Sequence, residues 1–176
     1  MKPNPVLAIF LFIFCLSAEL IAKDKTYQLS APNNTLKVKV NIGDSITYSV
    51  SFKNKIVILP SAIAMTLQNK VLGKAAQVKK TRTLRGKDFN ELSIEMSDQG
   101  YSLIFRAYNE GIAYRFVTNF KDSIQVVAEK ATFNLNGKPA AILQETDNYT
   151  SWEGSYVRYA SIAEISSGKR ATTPAL

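Results

Sequence analysis

Chemistry in this chain falls to carboxylates, lysines, tyrosines and hydroxyls. There is no histidine, and the single cysteine is Cys15, near the amino terminus. Ser-His-Asp catalysis, Cys-His catalysis and imidazole metal sites are therefore excluded. Glycine-rich phosphate cradles are also absent. The most suggestive cluster lies late in the chain. Tyr149, Trp152, Glu153 and Tyr156 are candidate carbohydrate contacts, with Glu145 and Asp147 close by. Aromatic faces stack on the C–H face of a pyranose, and carboxylates accept hydrogen bonds from its hydroxyls. The competing reading has Trp152 anchoring a loop and the acids facing water. Glycoside hydrolysis needs two carboxyl groups at a fixed separation, which spacing alone does not give. No catalytic residue and no metal ligand is assigned.

Two arginines allow a second chemistry. Arg106 and Arg115 stand beside aromatics, where they could meet an anionic or hydroxylated ligand. The favoured reading is that each lays its stem across a sheet and pairs with an acid. Net charge is +8, with much of the excess between Lys70 and Lys87. A polyanion-binding surface would look like this. So would a solvated basic loop, which is preferred because no aromatic is interleaved to stack on bases. No nucleic-acid partner is expected.

Strands must position these residues. Residues 101–119 hold two alternating runs around Asn109-Glu110-Gly111. Tyr101, Leu103, Phe105 and Ala107 share one face of the first, and Ile112, Tyr114 and Phe116 one face of the second. A period of two with a short glycine-containing connector predicts a hairpin, with positive φ available at Gly111. Leu36–Ile42, Ile46–Phe52, Ile56–Leu59, Ile63–Leu67 and Leu92–Met96 alternate likewise. Shorter runs are expected at 124–127, 132–135 and 140–143, and no mature segment of ten or more residues has helical period. The pattern predicts an all-β, antiparallel sandwich or barrel in one domain.

Residues 1–22 read as a secretory signal peptide. Lys2 is basic, Val6–Leu16 is apolar, and small residues end the segment at Ala22. Eleven apolar residues are too few for a bilayer span, which takes roughly 20. No stable membrane span is expected in the mature chain. Residues 23–176 form the expected domain, without cysteine once the leader is removed. Phe14 stands where a lipid-modified Cys15 would want a small neighbour. Export to the periplasm or outer membrane of a Gram-negative bacterium fits this design. The carboxyl end, Ala171 to Leu176, stops as an apolar run begins, which predicts a chain cut within a domain.

FRAYNEGIAYRF at 105–116 resembles the signature hairpin of the amino-terminal domain of glycoside hydrolase family 97. Leu29–Val38, Ile46–Val50, Leu59–Ile63, Tyr149–Tyr156 and Ala171–Pro174 are similar to further family segments in the same order. The resemblance implies a β-super-sandwich, galactose mutarotase-like, here incomplete at its carboxyl end. It implies an exported α-glucosidase or α-galactosidase whose catalytic (β/α)8 barrel follows this domain and carries the reacting carboxylates. α-Glucans or α-galactosides are the implied ligands. Calcium is expected in full-length members, held by glutamates, none of which maps onto these residues. Alone, the domain is expected to be inactive. The alternative is a stand-alone carbohydrate-binding module.

Overall fold

The computed structural model describes residues 24–97, 100–147 and 154–172. Among the described residues, fourteen strands and one short 3-10 turn at Ile162–Glu164 account for the regular structure. All strand pairs are antiparallel.

The larger sheet is built on β1 (Lys25–Ser30), β2 (Leu36–Ile42), β3 (Ile46–Phe52), β4 (Lys55–Leu67) and β10 (Val126–Ala131), in that order. Two short strands, β5 (Val71–Leu72) and β11 (Asn134–Leu135), also pair with β4. The second sheet runs β6 (Val78–Arg85), β7 (Phe89–Met96), β8 (Tyr101–Tyr108), β9 (Ile112–Thr118). A third sheet places β12 (Ala141–Glu145) between β13 (Tyr156–Tyr159) and β14 (Ala171–Thr172).

Alternating apolar residues close the first two sheets on each other. Val38, Val40, Ile46 and Ile63 from one sheet share a core with Leu92, Ile94, Leu103 and Phe105 from the other. The chain is therefore an all-β antiparallel sandwich. Polar ties cross between the layers: the Gly73 N–H donates to the Tyr101 hydroxyl at 3.0 Å, and the Asn90 amide donates to the Ser30 carbonyl at 2.8 Å. Both satisfy groups that burial would otherwise leave at a cost.

The expected hairpin forms as β8 and β9, with Tyr101, Leu103, Phe105 and Ala107 buried. Its connector differs from expectation at one point. Gly111 lies outside the left-handed region, and the Tyr108 N–H reaches the Gly111 carbonyl at 2.8 Å to close the turn. Positive φ appears instead at Lys53 (48°) and Asn54 (64°), which join β3 to β4. Two such residues in a row are what a tight hairpin connection requires.

Two expected strands, Ile56–Leu59 and Ile63–Leu67, are one continuous strand, β4. Pro60 interrupts the pattern but not the strand. The β3 register shifts opposite it, so the missing N–H falls at a bulge. Ser61, buried beside it, donates to the Leu59 carbonyl at 2.8 Å and accepts from the Asn134 N–H at 2.9 Å.

The basic stretch expected as a solvated loop is partly a strand. β6 lies at the edge of the second sheet with Lys79 to Arg85 exposed throughout. Charged side chains suit an unpaired edge, because they discourage pairing with another chain.

Candidate functional site

Of the expected carbohydrate contacts, Tyr149, Trp152 and Glu153 lie outside the described residues. Tyr156 opens β13, is exposed, and pairs with Gln144. Residues paired across a ladder share a face and neighbours along a strand alternate. Tyr156 and Gln144 therefore occupy one face of the third sheet, and Glu145 with Tyr159 the other.

Glu145 is committed elsewhere. Its carboxylate accepts from the Tyr159 hydroxyl and from Lys169 Nζ, the latter at 2.6 Å. The Lys169 hydrogen bond, then that from Tyr159, hold the Glu145 carboxyl below the usual carboxylate range. A carboxyl so stabilised as its anion is a poor proton donor at neutral pH. Glu145 and Tyr156 lie on opposite faces of the third sheet.

Arg106 follows the favoured structural reading. Its Nε donates to Glu91 Oε2 at 2.7 Å, and its guanidinium lies 4.4 Å from the centre of the Phe89 ring. Arg106 and Arg115 line one shallow depression of about 130 Å³ on the outer face of the second sheet. That is well under the roughly 300–1,000 Å³ of a small-molecule pocket. Arg115 has no ion-pair partner among the described residues.

No cluster of three or more metal-ligating side chains occurs among the described residues. Glu91, Glu95 and Glu145 each answer a cation instead.

Another concave feature comes from residues that no single segment displays. A cleft of about 420 Å³ opens where β9 ends the second sheet and the larger sheet continues beneath it. Tyr48, Ile58 and Phe133 line its floor, and Ile112 and Tyr114 one wall. The rings interlock: Tyr48 stands 6.0 Å from Tyr114 and 6.4 Å from Phe133, centre to centre. The Tyr48 hydroxyl donates to the Thr132 carbonyl at 3.1 Å, and the Tyr114 hydroxyl stands 3.5 Å from Glu129. Burial, with the Glu129 carboxylate nearby, pushes the Tyr114 phenol up to about 12.

In and beyond this cleft the larger sheet and its flanking loop show apolar side chains to solvent. Ile56, Val57 and Leu59 of β4 are exposed, as are Val127 (62 %), Phe133 (63 %) and Leu135. Scattered single exposures need no explanation, whereas large exposed apolar patches mark interaction sites.

The family model for the glycosyl-hydrolase 97 N-terminal domain matches residues 29–176. A curated relative, a retaining α-galactosidase of Bacteroides thetaiotaomicron, is 31 % identical over 141 residues, covering 70 % of this chain and 21 % of the relative. Among solved structures, a glycoside hydrolase family 97 enzyme from Pseudoalteromonas sp. strain K8 in complex with acarbose superposes with a TM-score of 0.62 at 20 % identity. That match covers 76 % of this chain and 24 % of the enzyme. A β-arabinopyranosidase superposes with a TM-score of 0.59 at 17 % identity, covering 74 % and 26 %. The chain thus spans about a fifth to a quarter of the length of these proteins.

Proposed function

The chain belongs to the glycosyl-hydrolase 97 N-terminal family, and from that premise we propose that its sandwich braces the catalytic barrel of an exported α-glycosidase and helps wall the sugar site. The observation that carries this reading is the apolar margin of β4, β10 and β11. Isoleucine, valine and leucine side chains dominate it, and these suit a protein surface better than a sugar ring. A catalytic domain docked there would remove this surface from water, with a gain of roughly 25 cal/mol per Å² of apolar area.

The chemistry itself belongs to the partner. Retaining glycosidases use two carboxyl groups about 5–5.5 Å apart, one as acid and one as nucleophile. Here Glu91 is tied to Arg106 and Glu145 to Lys169. The reading takes residues 1–22 as an export signal and the mature protein as periplasmic or attached to the outer membrane. The substrate class is an α-galactoside or α-glucoside.

Purified protein of these 176 residues should not hydrolyse p-nitrophenyl α-galactoside or p-nitrophenyl α-glucoside above the buffer rate. Turnover that co-purifies with the protein and falls on replacing Glu91 or Glu145 by glutamine would overturn the reading.

A further inference from the structure

Asn136, in the bend after β11, is the one asparagine that glycine follows. Asn136 and Gly137 are both exposed, and Gly137 adopts φ +82°, where glycine is favoured. A Cβ added at Gly137 would meet nothing within 4 Å. Among the described residues, the Gly137 N–H has no hydrogen-bond acceptor. The Asn136 side chain, by contrast, is a structural tie. Its Nδ2 donates to the Ile56 carbonyl at 2.8 Å, and its backbone N–H donates to the Val57 carbonyl at 3.1 Å. Asn134 makes the matching tie at the other end of β11, from its own Nδ2 to the Pro60 carbonyl at 2.7 Å. β11 has only two residues, so these amides hold it to β4 as much as its short ladder does.

We propose that Asn136 is a site of self-modification, where attack of the Gly137 nitrogen deamidates the side chain and the product releases β11 from β4. The Gly137 nitrogen gives up its proton to solvent base and bonds to Asn136 Cγ. The Cγ–Nδ2 bond breaks, and the amide nitrogen takes up a proton and leaves as ammonia. Water then opens the resulting five-membered imide at either carbonyl, giving aspartate or isoaspartate. One water is consumed and one ammonia released, with no oxidant or reductant. Glycine suits this step because it leaves the attacking nitrogen unscreened and lets the backbone rotate toward Cγ. Every other asparagine precedes a residue that bears a side chain. The bond to Ile56 must break first, which slows the step by about two- to tenfold, and rotation out of the ordered bend adds to this. After conversion the side chain no longer donates. A carboxylate oxygen then faces the Ile56 carbonyl oxygen, and two acceptors without a proton between them repel. Isoaspartate also adds a methylene to the main chain, which carries the backbone out of register with Val57.

This chemistry is independent of the scaffold role proposed above. The test incubates the full chain in warm, mildly alkaline buffer beside a synthetic peptide of residues 133–139. Proteolytic mapping by mass spectrometry should place the mass gain of amide-to-acid conversion on the segment holding Asn136, with one oxygen drawn from heavy-oxygen water. Conversion should run within a hundredfold of the peptide's rate and at least tenfold ahead of any other asparagine. Hydrogen exchange across residues 134–136 should quicken by at least tenfold in the converted protein. Unincubated Asn136→Asp should show the same quickening, with its far-ultraviolet circular dichroism unchanged. Conversion slower than a hundredth of the peptide's rate, or less than tenfold ahead at Asn136, would overturn the site. Conversion that leaves exchange across 134–136 as it was would overturn the release of β11.

Discussion

Replacing Phe105 by alanine should cost far more than replacing Phe133, although both rings contact Tyr48. Phe105 is completely buried, 6.3 Å from the Tyr48 ring and 5.8 Å from the Tyr114 ring, at the seam between the two sheets. Truncation there removes the transfer free energy of the ring and leaves a cavity, together about 3–5 kcal/mol. Two aromatic contacts, each worth roughly 0.5–1.5 kcal/mol, place Phe105 toward the upper end. Phe133 is 63 % exposed and contributes one edge-on contact with Tyr48, so its loss should cost about 1 kcal/mol. Urea unfolding followed by circular dichroism measures both. With a slope of about 2 kcal/mol per molar, the Phe105→Ala midpoint should fall by roughly 2 M and the Phe133→Ala midpoint by about 0.5 M. Equal shifts, or a Phe105→Ala loss under about 1 kcal/mol, would refute a core at this seam.

Gly73→Ala should destabilise by more than about 1 kcal/mol, since φ is +94° and a Cβ would meet the Ile63 carbonyl at 2.9 Å. Gly111→Ala, with open space around the position, should stay within about 0.5 kcal/mol in the same unfolding assay. A third expectation concerns alkaline pH. Burial, then the nearby Glu129 carboxylate, raises the Tyr114 phenol to about 12 in the folded protein. Its contribution to stability is thus complete below pH 10 and lost as pH climbs toward 12. Tyr114→Phe should flatten that loss in thermal unfolding measured across the interval.

How much of this was legible in the sequence depends on how each strand is buried. The strands β2, β3, β7, β8 and β9 each bury one face more than the other, so Val38/Val40 or Leu103/Phe105 alternate with less buried neighbours and the period of two shows. β6 is exposed along nearly its whole length, and Lys79-Lys80-Thr81-Arg82-Thr83 carries no apolar rhythm to read. Pro60 divided β4 on paper because a bulge that accommodates proline depends on the neighbouring strand. The cleft was hidden for a related reason. Tyr48, Tyr114 and Phe133 come from distant segments, and only the stacking of the two sheets brings them together. The expected sugar contacts drew on one local stretch, of which Tyr156 is the described member, and it faces away from Glu145.

Association with a separately produced catalytic domain addresses the scaffold role most directly. The remainder of the Bacteroides thetaiotaomicron retaining α-galactosidase, lacking its matched segment, supplies that domain. Titration calorimetry should give a one-to-one complex, and Val57→Lys together with Leu59→Lys should abolish it by placing charge on the apolar margin of β4. No heat of binding, or binding indifferent to both lysines, would contradict a sandwich built to hold a catalytic partner.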